Sequence, residues 1–236
     1  MPIQTQPLGD KRAEAIRKMF ASVARRYDLV NTLLSVGTDG RWRRRGAASV
    51  RLPAEALILD LCTGTGKLAA ELRRRFPGSR VIGADFCLEM LSLAHKSVPS
   101  LPFVCADALC LPLKGGSFDL VAVGFGIRNF ADLKSGLCEV RRILKPTGAV
   151  LLLEFSAPRP GLAASFYGLY LGRIVPFLGE KVSGVKGAYS YLRDSVNSFP
   201  TAERLAGIME EVGFEDVTYR PLSGGIVAIH VGWRGD

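Results

Sequence analysis

The sequence predicts an α/β protein: a seven-stranded, mostly parallel sheet with helices on both faces and an antiparallel C-terminal hairpin. Three observations carry this reading. The stretch LILDLCTGTGK, residues 57–67, reads as a buried strand, a turn of small residues and the first turn of a helix. Acids recur at strand ends, at Asp60, Asp85 and Asp107, with spacings of 25 and 22 residues, the rhythm of βαβ units. The chain closes on two strand-like segments, 216–220 and 226–233, joined by Ser223-Gly224-Gly225.

The elements follow in order. Residues 10–26 have Ala15, Ile16, Met19, Phe20 and Val23 at helical spacing, and the helix leads into Tyr27-Asp28-Leu29-Val30-Asn31. If that stretch stays helical, Tyr27 and Asn31 share a face. Residues 41–45, RWRRR, lie on a second helix that ends near Pro53. The helix after the glycine turn places Leu68, Ala69, Leu72 and Phe76 on one side. Strands over 80–85 and 103–106 alternate with a helix over 87–97. The apolar run 118–123 is the fourth and most central strand, and it opens into GFGIRNF, residues 124–130. A helix over 132–144, the turn 145–148 and a strand over 149–155 complete the parallel part. Residues 161–178 are apolar on nearly every side. Arg173 and Pro176 interrupt the run, so it reads as a buried helix or greasy lid rather than a membrane span. Thr201 caps the last helix and Gly213 stops it. The expected organisation is a single domain over 1–236, with a helical cap over 10–50 and a helical lid inserted over 157–200.

Composition narrows the function classes. The chain has 236 residues, and its 48% hydrophobic content is ample for a core. Its opening residues, MPIQTQPLGDKR, contain no apolar segment, so no secretory signal is expected. Five cysteines at 62, 87, 105, 110 and 138 form no CxxC or zinc spacing, and no metal site is expected. The net charge of +9 draws on clusters at 41–45 and 73–75, which suit an anionic membrane surface, a nucleic acid or plain solvated helix faces.

Two cofactors compete for the glycine turn. Gly64-Thr65-Gly66-Lys67-Leu68-Ala69 satisfies the dinucleotide fingerprint GxGxxG/A, and Asp85 stands 19 residues past Gly66 to receive ribose hydroxyls. A Walker phosphate loop fails, because positions 61 and 68 are both leucine. The balance moves against NAD at Asp60: an acid before the turn repels a pyrophosphate and suits an ammonium or sulfonium. Asp107, past the third strand, is placed beside an adenine. These features favour S-adenosylmethionine. No Tyr-x-x-x-Lys pair supports an oxidoreductase, and no NPPY-type motif supports methylation of aminated bases.

The chain resembles class I S-adenosylmethionine-dependent methyltransferases, whose Rossmann-like sheet this would be. More closely, it is similar to the quinone-biosynthesis C-methyltransferases of the demethylmenaquinone / 2-methoxy-6-polyprenyl-benzoquinol group. The resemblance covers about residues 14–234. It is carried by MFASVARRYDLVN (19–31), DLCTGTGK (60–67), FDLVAVGFGIRNF (118–130), LKPTGAVLLLEFS (144–156), AYSYLRDSVNSFP (188–200) and GGIVAIHVGW (224–233). The YDLVN, FGIRN and AYSYL segments are the specific ones.

The resemblance implies methyl transfer to a ring carbon of a polyprenylated quinol, demethylmenaquinol ahead of the benzoquinol, with methylation of another small molecule, RNA or protein as the alternative. It places the cofactor on Thr65, Asp85, Asp107, Ala108 and Gly124, beside Asp60, Thr63, Gly64 and Gly66 of the turn itself. Three positions depart from the family pattern: Lys67 stands for Asp, Thr63 for Gly or Cys, and Gly124 for a frequent Ser or Thr. Arg128, Asn129 and Tyr27 are the expected catalytic groups, with Asn129 and Tyr27 on the ring oxygens and Arg128 on the quinolate or ordering the water that accepts the proton. Arginine is too basic for a neutral base. His230 is an alternative base, although its place inside the last strand favours a structural role. The apolar segment with Tyr189 and Tyr191 would cover the prenyl tail. The expected setting is cytoplasmic with peripheral membrane contact, no nucleic acid partner, and room for a homodimer.

Overall fold

The computed structural model describes residues 11–156, 168–185 and 188–235. Its centre is a seven-stranded sheet: β1 (Leu57–Leu61), β2 (Arg80–Asp85), β3 (Phe103–Cys105), β4 (Phe118–Gly124), β5 (Leu144–Phe155), β6 (Glu215–Leu222) and β7 (Val227–Trp233). The spatial order is β3-β2-β1-β4-β5-β7-β6. The first five strands run parallel; β7 enters antiparallel between β5 and β6. Strands β1 and β4 are buried along nearly their whole length, which is why they read as unbroken apolar runs.

Two cores lie on the faces of this sheet. Helix α5 (Leu133–Ile143) and helix α8 (Ala202–Glu211) cover one, through Leu137, Val140, Leu205 and Met209. Helices α2 (Asp39–Ala47) and α3 (Lys67–Arg75) cover the other, through Trp42, Leu68 and Leu72. Helix α4 (Leu88–Ser97) packs beside β2 and β3. The arginines at 73–75 fall in the last turn of α3, where they complement the helix dipole and Arg74 pairs with Glu71.

The first helix of the N-terminal cap runs further than the 10–26 that its apolar spacing marks. One helix, α1 (Lys11–Leu34), runs through the whole YDLVN stretch, so Tyr27 and Asn31 do lie on one face. The second cap helix stops at Ala47, short of Pro53, with the Ala48 and Ser49 amides closing it on Arg44 and Gly46. In the lid region a π-helical turn, Tyr170–Ile174, continues into α6 (Val175–Ser183), and α7 (Ala188–Ser198) follows. The 157–167 part of the expected lid lies outside the described residues. Strand β5 starts earlier than the Lys145–Gly148 turn implies. Leu144 already pairs with Phe118, and the register then shifts so that Leu120 faces Ala149.

Candidate active site

The strand order reverses between β1 and β4, and the carboxyl ends of those strands open the crevice where ligands bind in such sheets. Both strands end in strained backbone. Cys62 (φ 58) and Phe125 (φ 60) adopt the left-handed region that side chains disfavour. Gly126 is required there, since a Cβ on it would stand 2.4 Å from Cys62 Cβ.

The first cavity, about 270 Å³, lies over the glycine turn. It brings together Thr63, Gly64, Thr65, Asp85, Asp107, Ala108 and Gly124 of the expected cofactor set. Gly64 has φ +55, and a Cβ built on it would meet nothing within 4 Å, so its backbone faces open space. Asp85 accepts from the amides of Gly64 (2.8 Å) and Cys87 (3.0 Å), one on each oxygen, which leaves lone pairs on both for hydroxyl donors. Asp107 accepts from the Leu109 amide at 2.9 Å through Oδ1 and is exposed at the cavity rim.

Two expected members stand outside that lining. Gly66 (φ +83) packs against Ala94 and Val98 and makes the turn into α3 rather than a ligand surface. Asp60 is fully buried behind the turn. Its Oδ2 accepts from the Thr63 hydroxyl at 2.6 Å, while its Oδ1 has no partner. Burial pushes its pKa up to about 7 against the Thr63 hydrogen bond.

Lys67 does not leave a stray cation in the site. Its Nζ lies 3.4 Å from Asp28 Oδ1 and 3.9 Å from Asp39 Oδ2, carboxylates from α1 and α2. Asp28 also accepts from the Thr65 hydroxyl at 2.8 Å, so the cap is stapled directly to the glycine turn. Gly124 is explained by the same helix: a Cβ there would stand 2.9 Å from Leu68 Cδ2, which fills the space of a hydroxymethyl.

The second cavity is larger, about 590 Å³, and mostly apolar. Met19, Val23, Leu34, Val175 and Val196 supply much of its wall, and Tyr27, Arg128, Tyr189 and Tyr191 are among its polar members. Phe20, Tyr27, Arg43 and Phe125 line both cavities and form the wall between them. Arg128 is buried and donates from Nη1 to Glu154 Oε1 (2.7 Å) and to the Phe125 carbonyl (2.6 Å), while its Nε has no partner. Burial works against the guanidinium, but Glu154 beside it holds its pKa above the ordinary value. Burial also raises the Tyr27 pKa, more than the Arg128 charge and the Asn31 side chain lower it. Asn129 lines the first cavity and accepts from the Tyr191 hydroxyl at 3.0 Å.

Three residues of this arrangement escape a reading of the sequence. Arg43 hides in the basic run 41–45, yet it pairs with Asp39 at 2.5 Å and lies 5.5 Å over the Phe125 ring. The Asp39–Arg43 spacing of one helical turn is its signal. Glu154 is an acid inside the apolar strand LLLEF, a pattern that calls for a buried cation. Asp28 shows only as part of YDLVN. His230 lines neither cavity. Its Nε2 sits 2.9 Å from the Ala202 carbonyl and its ring stacks on Tyr219.

The strand order with its inserted antiparallel β7, and a glycine turn facing an acid-rimmed cavity, define the class I methyltransferase fold. A Thermotoga maritima S-adenosylmethionine-dependent methyltransferase shares it, with a TM-score of 0.67 at 21% identity over 92% of this chain and 98% of that one. Human N-acetylserotonin methyltransferase gives 0.65 at 20% identity, over 97% of this chain and 61% of its own. The sequence model of the ubiE/COQ5 methyltransferase family matches residues 6–234, and the chain belongs to that family. A demethylmenaquinone methyltransferase of Thermus thermophilus is 47% identical over 220 residues, covering 92% of this chain and 100% of that relative. Another from Deinococcus radiodurans is 45% identical over 96% of each chain.

Proposed function

We propose that this chain transfers a methyl group from S-adenosylmethionine to a ring carbon of a polyprenylated quinol, with demethylmenaquinol as the acceptor. The observation that carries the reading is the wall of Phe20, Tyr27, Arg43 and Phe125, across which an acid-rimmed cavity meets an apolar one. The first suits a cationic nucleoside and the second a ring with a hydrocarbon tail. The two demethylmenaquinone methyltransferases above support the choice of acceptor.

The residues present fit the cofactor. Gly64 leaves open space for close approach, Asp85 has free lone pairs for ribose hydroxyls, and Asp107 and Ala108 flank an adenine position. When ionised, above about pH 7, Asp60 adds negative potential behind the turn, where its Oδ1 has no hydrogen-bond partner. When bound, S-adenosylmethionine supplies an electrophilic methyl on a sulfonium.

The chain's own groups must then make a weak carbon nucleophile competent. Arg128 keeps its positive charge and stabilises the quinolate oxygen that forms when a ring hydroxyl gives up its proton. Tyr27 stays protonated and donates a hydrogen bond to a ring oxygen. Asn129, fixed by Tyr191, orients the ring against the cofactor side. The hydroxyl proton passes to water; once the ring carbon has taken the methyl, its own proton also leaves to water and the oxygen takes one proton back, so the net change is one methyl gained and one ring proton lost. Glu154 positions Arg128 and does not touch the ring. Residues 1–236 act as one domain, in which the cap helices line both cavities and the described lid residues, among them Tyr170, Val175 and Tyr189, line the apolar one, and the reaction takes place on the cytoplasmic side of the membrane.

The test is methyl transfer by the purified protein, read by mass spectrometry, with S-adenosylmethionine and reduced demethylmenaquinone. Gain of one methyl on a ring carbon is expected. No gain there or with 2-methoxy-6-polyprenyl-benzoquinol, while S-adenosylhomocysteine still binds, overturns the acceptor assignment.

A further inference from the structure

Helices α1 and α6 lie side by side, and two bonds fix their alignment. Arg26 Nη1 donates to the Val182 carbonyl at 2.9 Å, and the Tyr170 hydroxyl donates to the Leu34 carbonyl. Residue 26 therefore stands beside 182 and residue 34 beside 170, so the segments are antiparallel. Their inner faces, through Val23, Val30 and Val175, are buried in one hydrophobic cluster.

The outer face of this pair is also apolar, and it is in water. Leu29 is 56% exposed and Leu33 54%, one helical turn apart; Ile174 and Phe177 (66%) repeat the pattern opposite. Val36, just past α1, is 83% exposed and holds a left-handed φ of 50, which a β-branched side chain strongly disfavours. Val36 also lines the apolar cavity, together with Leu34, Tyr170 and Val175. A residue that is both cavity wall and largely exposed marks where that cavity reaches the surface.

The charge around this patch has one sign. Arg25, Arg26, Arg173 and Lys181 are exposed, and Lys181 Nζ lies 5.9 Å over the Phe177 ring. The acids of the same stretches turn away from it or are shielded. Asp28 is bonded to Thr65 and Lys67 on the sheet side, and Glu180 is half-buried. Exposed large apolar side chains framed by cations are the signature of a helix face that lies in an anionic lipid interface.

We propose that the α1–α6 pair docks on an anionic bilayer, with Leu29, Leu33, Ile174 and Phe177 at the headgroup–acyl boundary. This deepens the quinol reading and rests on it, because the prenyl chain then passes from lipid to cavity without crossing water. The free energy that the apolar stripe gains in lipid and the attraction of the flanking cations add.

Flotation of the full chain with vesicles tests this, using phosphatidylcholine alone and phosphatidylcholine mixed with phosphatidylglycerol. Binding to the mixed vesicles is expected, weakened by salt. The double variant Leu33→Ser, Phe177→Ser should partition about tenfold or more weakly. Arg173→Glu with Lys181→Glu should lose the preference for the anionic lipid. With a short-tailed, water-soluble acceptor the Leu33→Ser, Phe177→Ser protein should turn over normally, while turnover of a vesicle-borne long-tailed acceptor falls. Wild-type protein that ignores the mixed vesicles, or serine variants that float as the wild type does, overturns the proposal. So does a wild-type dimer in gel filtration that the serine variants dissociate, since a second copy would then cover the patch. Vesicle binding that follows these expectations without turnover of any quinol would support docking and sink the acceptor assignment alone.

Discussion

A carboxyl group with no exposure and one side-chain hydrogen bond prefers to be neutral, and Asp60 is such a group. Its pKa, raised from 3.8 to about 7, makes it a proton-linked partner of any cationic ligand in the turn. The folded value lies above the unfolded one, so its contribution to stability is complete below the unfolded pKa and lost as pH rises through about 7. Asp60→Asn should therefore melt at a higher temperature than wild type at pH 8, with the gap closing toward pH 5. S-adenosylhomocysteine affinity should show the opposite trend, weakening as pH falls below about 7 in wild type and staying flat in Asp60→Asn. Calorimetry across pH checks both. At this scale the sequence is a partial guide. The acids at strand ends announce themselves by position, whereas Arg43 and Glu154 depend on neighbours 82 and 26 residues away, Phe125 and Arg128. Periodicity contains no information about such pairs.

The elements are more legible, because their ends carry local chemistry. Asp132 accepts from the Ser135 amide at 2.8 Å and Thr201 from the Arg204 amide at 3.3 Å, so α5 and α8 start where side-chain caps dictate. Asp132→Ala or Thr201→Ala should each cost about 1 kcal/mol, a fall in Tm of about 2–4 °C, measured by thermal unfolding. Gly64 is readable as part of the glycine turn, but the reasons for Gly126, which stands against Cys62, and for Gly124 are not. Leu68 fills the space at Gly124, and that contact links a helix to a strand 56 residues on. The long run of α1 through YDLVN was equally hidden. Asp28 bonds to Thr65 and Lys67, tertiary contacts that hold the last turns of the helix against the glycine turn and the start of α3.

Across the whole molecule, one division of labour organises the chain. The parallel half of the sheet presents a polar cavity, and the cap and lid helices enclose an apolar one. The strand order that produces this could be anticipated from the βαβ rhythm, since short right-handed crossovers leave few alternatives. The meeting of the cavities at Tyr27 and Phe125 could not, since it depends on how α1 packs against α4 and the glycine turn. That meeting is the central claim, and binding of S-adenosylhomocysteine to two variants, set beside their turnover, tests it most directly. Asp85→Asn removes an acceptor on the polar side and should weaken binding by about tenfold to a hundredfold. Tyr27→Phe removes a donor at the shared wall. It should bind as wild type does and yet lose about tenfold or more in turnover of the quinol. Wild-type affinity in Asp85→Asn, or wild-type turnover in Tyr27→Phe, would contradict the division on which the account rests.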